Sequence, residues 1–248
     1  MIPIKDRTHR TGFPLITVGL IVLNCLFFAL ELGTGLDRAA AAYGAVPWFV
    51  THPGRDVAVR SVPVLQRTLF GYVEGEELIE VFRPRPGALG SLFTSMFLHG
   101  DLFHLIFNML FLWVFGDNIE DRLGKIRFLL FYLTCGVGAA LAHIVFNPDS
   151  LVPMIGASGA ISGVMGAYVL LFPRNRVVAI LPIFFFIQLV ELPAYVYLGI
   201  WFLIQLLSVG SGSGVAFLAH IGGFALGFVL IRLFDRRGVP PAGFANYR

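Results

Sequence analysis

Six runs of mostly apolar residues constrain this 248-residue sequence more than any other feature. A helix needs about 20 consecutive apolar residues to cross the hydrocarbon core of a bilayer. Hydrophobic residues make up 57% of the chain and charged residues 13%, so a soluble fold could not bury the apolar surface. The sequence therefore predicts an all-α polytopic membrane protein with six transmembrane helices. The predicted spans are 14–32, 102–116, 126–146, 157–172, 192–207 and 215–234.

The few charged residues argue against other classes of protein. The formal net charge is +3 and the basic residues are scattered, so the chain lacks the basic surface that nucleic acid binding requires. Cys25 and Cys135 both lie inside apolar runs and are interpreted as small buried hydrophobic residues, not as a disulfide. We therefore expect contact with the lipid bilayer and none with nucleic acid. The oligomeric state is left open.

The distribution of Lys and Arg predicts the orientation of the spans. Basic residues lie before the first span, after the second and fourth spans, and after the last one, whereas the connections 147–156 and 208–214 have none. Because basic loops remain cytoplasmic, both termini are predicted to be cytoplasmic. The chain then consists of a cytoplasmic tail (1–13), a transmembrane domain (14–234) and a second, disordered tail (235–248).

Two segments outside the six spans allow more than one interpretation. The outer connection 37–101 is long, and its residues 57–70 alternate enough to suggest short strands or an interfacial helix. The apolar stretch 177–190 is consistent with an interfacial or re-entrant piece, or with the start of a longer, broken fifth helix. Pro182 and Pro193 favour a break there, since proline interrupts helices.

Four polar side chains fall at a similar depth in three spans. In the predicted orientation, His104 and Asn108 lie in the outer half of the second span. Ser158 opens the fourth span, and His220 lies about two turns into the sixth. At about 1.5 Å per residue, all four reach the outer leaflet. Such groups are costly within a membrane and therefore mark candidate functional sites.

The chemistry available to these groups is acyl transfer. A serine hydroxyl needs a base to remove its proton, and histidine is the usual one. The N-terminus of a helix stabilises negative charge, so the Ser158 N–H, His104 and Asn108 are candidate donors to an oxyanion. His104 and Asn108 are four residues apart and share one helix face.

Stripes of small residues support an approach of the fourth and sixth spans. Gly159 and Gly163 form one stripe, and Gly223 and Gly227 form the other, and such stripes let helix backbones come close. Ser162 is interpreted as packing or pocket lining. On the residues alone, an intramembrane serine hydrolase competes with a transporter and with a structural membrane protein.

The remaining ionisable groups in or near the spans receive structural interpretations. We expect His143 to be a satisfied polar group of the core. Glu31 and Glu191 lie near span ends and are expected to reach water. Glu120 and Arg122 are expected to pair or to cap a helix at the cytoplasmic end.

From Phe93 onward the sequence resembles the rhomboid intramembrane serine proteases. Four motifs carry the resemblance, in the order found in that family. They are His99 with His104 and Asn108; Gly116, Glu120 and Gly124; Gly156-Ala157-Ser158-Gly159; and Ala219-His220 with Gly223 and Gly227.

The resemblance implies a six-helix rhomboid fold with a Ser158–His220 catalytic dyad and no acidic third member. His104, Asn108 and the Ser158 amide would form the oxyanion hole, and His99 would line the water-accessible approach. Gly156, Gly159 and Ser162 would also line the site. The substrate would be a transmembrane segment of another protein, reaching the site past the fifth helix beneath a cap at 208–214. The family uses no metal or cofactor.

The sequence departs from the family pattern at two places. Gly90 and Ser91 stand where many members have Trp-Arg, and Ser162 stands where many have a tyrosine that stacks on the histidine. His220 must therefore be held by another residue. A catalytically inactive rhomboid-like protein that binds membrane helices, and a transporter or channel, are the alternative functions.

The N-terminal region bears on localisation. The first apolar run is too long for a signal peptide, and no suitable cleavage site follows it. We also expect no transit peptide before it. We therefore expect a prokaryotic plasma (inner) membrane, with the site toward the extracytoplasmic side.

Overall fold

A computed structural model describes residues 1–8, 12–68, 71–183, 186–212 and 214–235. Helices predominate among these residues, but the all-α prediction is wrong because five strands form two sheets. The helices are α1 (Leu15–Thr34), α2 (Leu36–Tyr43), α3 (Pro47–Thr51), α4 (Gly87–Thr94), α5 (Leu102–Leu123), α6 (Lys125–Phe146), α7 (Ser158–Leu171), α8 (Ala194–Leu207) and α9 (Phe217–Phe234). The strands are β1 (Ile2–Asp6), β2 (Val57–Thr68), β3 (Gly71–Phe82), β4 (Arg176–Ile183) and β5 (Phe186–Pro193).

Each of the six predicted runs contains a helix. Among the described residues, α1, α5, α6 and α9 are long and apolar enough to cross a membrane, with 18 to 22 residues each. The helices α7 and α8 are apolar but have only 14 residues. At about 1.5 Å per residue they are roughly 21 Å long.

The described residues of the segment 177–190 form two strands of an antiparallel hairpin, so the interpretation as the start of a longer fifth helix is wrong. Strand β4 pairs with β5 along its whole length, and β1 adds a third strand against β4. The sequence of β4 begins with two valines, and β-branched residues fit a pleated strand. Pro193 ends the hairpin and is the N-cap residue of α8. The expected break before the fifth helix is therefore present.

The two other non-helical segments also form strands. In the outer connection, β2 and β3 pair over twelve positions from Val57↔Phe82 to Thr68↔Gly71, which confirms the strand alternative. At the N-terminus, β1 lies within the segment predicted as a tail, and Arg7 beside it forms an ion pair of 3.0 Å with Glu191. Sheet pairing therefore fixes the first residues of the chain against the β4–β5 hairpin.

A buried carboxylate joins α1 to α5. Glu120 accepts hydrogen bonds from the backbone N–H groups of Ile16 and Thr17, at 2.9 and 2.7 Å, and from the Thr17 hydroxyl at 2.8 Å. These N–H groups belong to the first turn of α1, where they have no partner within the helix. Glu120 therefore caps α1, while Arg122 pairs with Asp235 at 2.8 Å.

Helix α7 is the centre of the molecule. Nearly all of its side chains are buried, because α5, α6 and α9 pack around it. Small residues allow this arrangement: a Cβ atom at Gly223 would lie 2.2 Å from the Gly159 carbonyl oxygen, and one at Gly227 would lie 1.9 Å from the Gly163 oxygen. The backbones of α7 and α9 are therefore in direct contact.

Replacing Gly227 by alanine should destabilise the protein. The added methyl group would overlap a backbone atom that no rotamer change can move, so the helices must separate, at a cost of about 1–3 kcal/mol or more. Gly199→Ala is the matched control, because it also changes a helical glycine but has no atom within 4 Å of the new Cβ. Thermal unfolding in detergent, followed by circular dichroism, should show a lower midpoint for Gly227→Ala only. Equal midpoints for both variants would contradict the close contact.

Candidate active site

Ser158 is the first residue of α7, as the sequence predicts. Ala157 is the N-cap residue, and Gly156 before it has a φ of 121°, a conformation that favours glycine. A Cβ atom at Gly156 would also lie 2.8 Å from Nε2 of His104. The turn therefore needs glycine both for its backbone conformation and to admit the imidazole beside Ser158.

His220 faces Ser158 from α9. Its Nε2 atom lies 2.8 Å from the Ser158 hydroxyl oxygen, although the two residues are 62 positions apart in the chain. The helix begins at Phe217, so His220 lies in the first turn and not two turns down. Residues 215 and 216, which the predicted span had included, are not helical. A hydroxyl and an imidazole at this distance can exchange a proton.

Gln205, which was not among the residues predicted from the sequence, contacts the other side of the His220 ring. Its Oε1 atom lies 2.8 Å from Nδ1 of His220, and its Nε2 atom donates to the Trp201 carbonyl oxygen at 3.4 Å. Gln205 is buried on α8. It is the one carboxamide in the predicted fifth span, which is the signal that could have identified it.

His104 and Asn108 lie on one face of α5 and line the same cavity as Ser158 and His220. The side chain of Asp101 caps α5 by accepting from the His104 N–H at 2.8 Å. Nδ1 of His104 accepts from the Gly100 N–H at 3.4 Å, which leaves the Nε2 hydrogen free to donate. Asn108 donates one amide hydrogen to the His104 carbonyl oxygen at 2.9 Å and retains a second.

His99 does not line the cavity, contrary to the sequence expectation. It is buried, and its ring lies edge-on to that of His104 with the centroids 5.1 Å apart. The backbone N–H of His99 donates to the Glu31 carboxylate at 3.0 Å. Glu31 is itself buried, so it does not reach water as the sequence analysis had expected. Burial, with a smaller effect of His104, lowers the pKa of His99 to about 3. The neutral ring therefore packs behind His104.

The cavity in front of Ser158 has a volume of about 850 Å³. Aromatic side chains of α5, α8 and α9 line it together with the polar groups, including Phe107, Trp201 and Phe217. Ser162 also lines it and donates to the Ser158 carbonyl oxygen at 2.7 Å. His143 faces the same cavity and is therefore not enclosed in the core.

The remaining predicted site residues are glycines that do not line the large cavity. Gly156 and Gly159 line a small neighbouring cavity of about 40 Å³. Gly163, Gly223 and Gly227 lie in the contact between α7 and its neighbours. No cluster of His, Cys, Asp and Glu side chains in the described part of the chain is arranged to hold a metal ion.

The motifs and the geometry agree with a comparison to known families. A family model described as the Rhomboid domain matches residues 86–237, which is more than half of the chain. The chain belongs to the rhomboid family. It is a multi-pass integral membrane protein, and the resemblance deduced from the four motifs is confirmed.

Three relatives illustrate the range of the family. RHOMBOID-like protein 1 of Arabidopsis thaliana is 28% identical over 98% of this chain. Rhomboid protease GluP of Bacillus subtilis is 35% identical over 61% of it. The presenilin-associated rhomboid-like protein, mitochondrial, of Homo sapiens is 34% identical over 50% of it. The chain spans 58%, 27% and 32% of the lengths of these relatives, respectively.

The relatives also bear on localisation. They come from a bacterium, a plant and a mammal, and one is named as mitochondrial. The similarity therefore supports an integral membrane protein of the rhomboid family, but it does not support the expected restriction to a prokaryotic plasma membrane.

The structure describes the residues at both departures from the family pattern. Ser162 carries no ring, and the rings of Trp201 and Phe217 lie beside His220, at centroid distances of 6.1 and 6.3 Å. Gly90 and Ser91 belong to α4. This part of the outer connection is held by a hydrogen bond of 2.6 Å from the Thr94 hydroxyl to the Tyr43 carbonyl oxygen.

Proposed function

We propose that this rhomboid is a serine endopeptidase that cuts transmembrane segments of other proteins within the membrane. The observation that carries the proposal is the 2.8 Å contact between the Ser158 hydroxyl and Nε2 of His220. This pair opens onto a cavity large enough for a segment of peptide. A binding protein or a transporter has no need for a serine held against a base at the start of a helix.

The reaction proceeds through an acyl-enzyme. Nε2 of His220 accepts the Ser158 proton as the hydroxyl oxygen attacks the scissile carbonyl carbon, forming a C–O bond and a tetrahedral oxyanion. The C–N bond then breaks, and the imidazolium gives its proton to the leaving amine. In the second half, His220 takes a proton from water as the water oxygen attacks the ester carbonyl carbon. The C–O bond to Ser158 then breaks, and the imidazolium returns its proton to the Ser158 oxygen as the carboxylic acid product leaves. No cofactor takes part in either half.

Three donors are available for the oxyanion. The backbone N–H of Ser158 lies in the first turn of α7, where N–H groups lack helical partners and the helix dipole is positive. The Nε2 hydrogen of His104 and the second amide hydrogen of Asn108 belong to the same cavity. Preorganised donors of this kind are commonly the largest contribution to lowering the barrier of acyl transfer.

The proposed topology has six spans, with both termini cytoplasmic. The four long helices supply four spans, and α7 and α8 supply two shorter ones. Because α7 is only about 21 Å long, it is shorter than a hydrocarbon core of about 30 Å. Ser158 at its start therefore lies below the outer surface, and a substrate helix reaches it laterally past α8.

Fluorophosphonate labelling tests the nucleophile. We expect the purified protein in detergent to be labelled, because the reagent reacts with an activated serine. Ser158→Ala should abolish labelling by removing the nucleophile, and His220→Ala should reduce it by about 10²–10⁴ by removing the base. Ser61→Ala and His52→Ala are matched controls, since both residues lie in the outer connection, and they should label like the parent protein.

Two results would contradict the proposed function. One is labelling that persists in Ser158→Ala, which would place the reactive serine elsewhere. The other is a folded parent protein that neither labels nor cuts a transmembrane reporter substrate in liposomes, as expected for a protein that only binds membrane helices.

Removing an oxyanion donor should lower kcat on such a reporter. We expect Asn108→Ala and His104→Ala each to reduce kcat by about 10²–10³. Asn24→Ala is the matched control for Asn108→Ala, because Asn24 on α1 makes the same type of hydrogen bond to its own helix, to the Leu20 carbonyl oxygen at 2.8 Å. Its replacement should change thermal stability and not kcat. Equal losses of kcat in the two asparagine variants would argue against an oxyanion role.

A further inference from the structure

Gln205 is the only side chain, among the described residues, that hydrogen bonds to Nδ1 of His220. We propose that Gln205 is a positioning residue, which fixes the tautomer and the orientation of the catalytic imidazole. This inference rests on the proposed function, because it assigns the partner of the proposed base. Ser162 stands where many family members have a tyrosine that stacks on the histidine, so His220 needs another residue to hold its ring. Gln205 supplies that contact.

The direction of each hydrogen bond follows from the chemistry of the carboxamide. Nε2 of Gln205 carries hydrogens, and it faces the carbonyl oxygen of Trp201, which can only accept. Oε1 therefore faces His220, and since a carboxamide oxygen only accepts, Nδ1 of His220 must carry the proton. Nε2 of His220 then has a lone pair directed at the Ser158 hydroxyl. This is the tautomer that can act as a general base.

The opposite arrangement would be unproductive. If the carboxamide were reversed, its NH₂ group would donate to Nδ1, and the Nε2 of His220 would carry the hydrogen. That hydrogen would then point at the Ser158 oxygen, so the imidazole could not accept the serine proton. The carbonyl oxygen of Trp201, four residues before Gln205 on the same helix, selects against this reversal.

The position of Gln205 also explains how the contact is maintained. Gln205 shares the buried face of α8 with Leu198 and Tyr197, whereas Leu203 and Leu206 are exposed on other faces. The hydroxyl of Tyr197 donates to the Met1 carbonyl oxygen at 3.2 Å, and Pro193 joins α8 directly to the β4–β5 hairpin. The sheet therefore fixes one end of α8, and Gln205 connects the other end to the imidazole.

The tautomer of His220 is measurable without any assay of activity. In protein with ¹⁵N-labelled histidine, the ring nitrogen shifts of His220, assigned by their loss in His220→Ala, should show Nδ1 protonated and Nε2 unprotonated. Gln205→Leu keeps the size of the side chain but removes the acceptor, so we expect the Nδ1–H form to lose its predominance. Leu203→Ala, an exposed change two residues away, should leave the spectrum unaltered.

Kinetics on the reporter substrate provide the second readout. We expect Gln205→Leu to lower kcat by about tenfold or more, as the loss of one hydrogen bond predicts, with KM nearly unchanged. Gln205→Glu retains an acceptor for Nδ1–H and should recover most of kcat. Its carboxylate favours the imidazolium, so the acid limb of the kcat/KM profile should move to higher pH.

The outcomes separate this inference from the proposed function. If Gln205→Leu retains the parent tautomer, or if Gln205→Glu is no more active than Gln205→Leu while both remain folded, the positioning role is overturned. If the parent protein has no activity but its His220 tautomer still depends on Gln205, the positioning role stands and the protease assignment fails.

Discussion

The direct contact between the backbones of α7 and α9 is the constraint on which the rest of the structure depends. A carbonyl oxygen of one helix occupies the space where a Cβ atom of the other would lie, both at Gly223 and at Gly227. This spacing is what allows a serine side chain and a histidine side chain to meet directly, 62 positions apart in the chain. Because α7 is also buried against α5 and α6, it cannot shift to accommodate a larger residue. The distance between the Ser158 and His220 side chains is therefore set by the packing of α7 against α9.

The site is assembled at the starts of three helices. Helix α5 begins two residues before His104, α7 begins at Ser158, and α9 begins three residues before His220. Each helix start carries N–H groups without helical partners and the positive end of a dipole. Three such ends around one cavity form an environment that favours negative charge before any substrate is bound. The capping carboxylate of Asp101 fixes one of these ends, so the donors are held in place in advance, as preorganised stabilisation requires.

The sequence predicted those elements that depend on the hydropathy of a single segment. It predicted less well those elements that depend on contacts between distant segments. Hydropathy located α1, α5, α6, α7, α8 and α9, since the bilayer requirement acts on each segment separately. The strands in 177–190 were not predicted, because the hydropathy of an apolar run of that length fits a strand and a helix equally well until the pairing partner is known. The burial of His99 and Glu31 depends on a contact between distant parts of the chain. Gln205 was missed because an uncharged amide in a span resembles a packing residue, and its partner lies on another helix.

The choice of a neutral amide beside His220 fits the surroundings of the site. A buried carboxylate would need compensation for the cost of removing its charge from water, whereas a carboxamide fixes the same tautomer without a net charge. The cost of this choice is weaker stabilisation of the imidazolium, which the positive ends of the helices also disfavour. In the proposed reaction, however, the imidazolium appears only together with the oxyanion beside it. The two charges offset each other at short range, so the site needs to stabilise a pair of opposite charges and never an isolated cation.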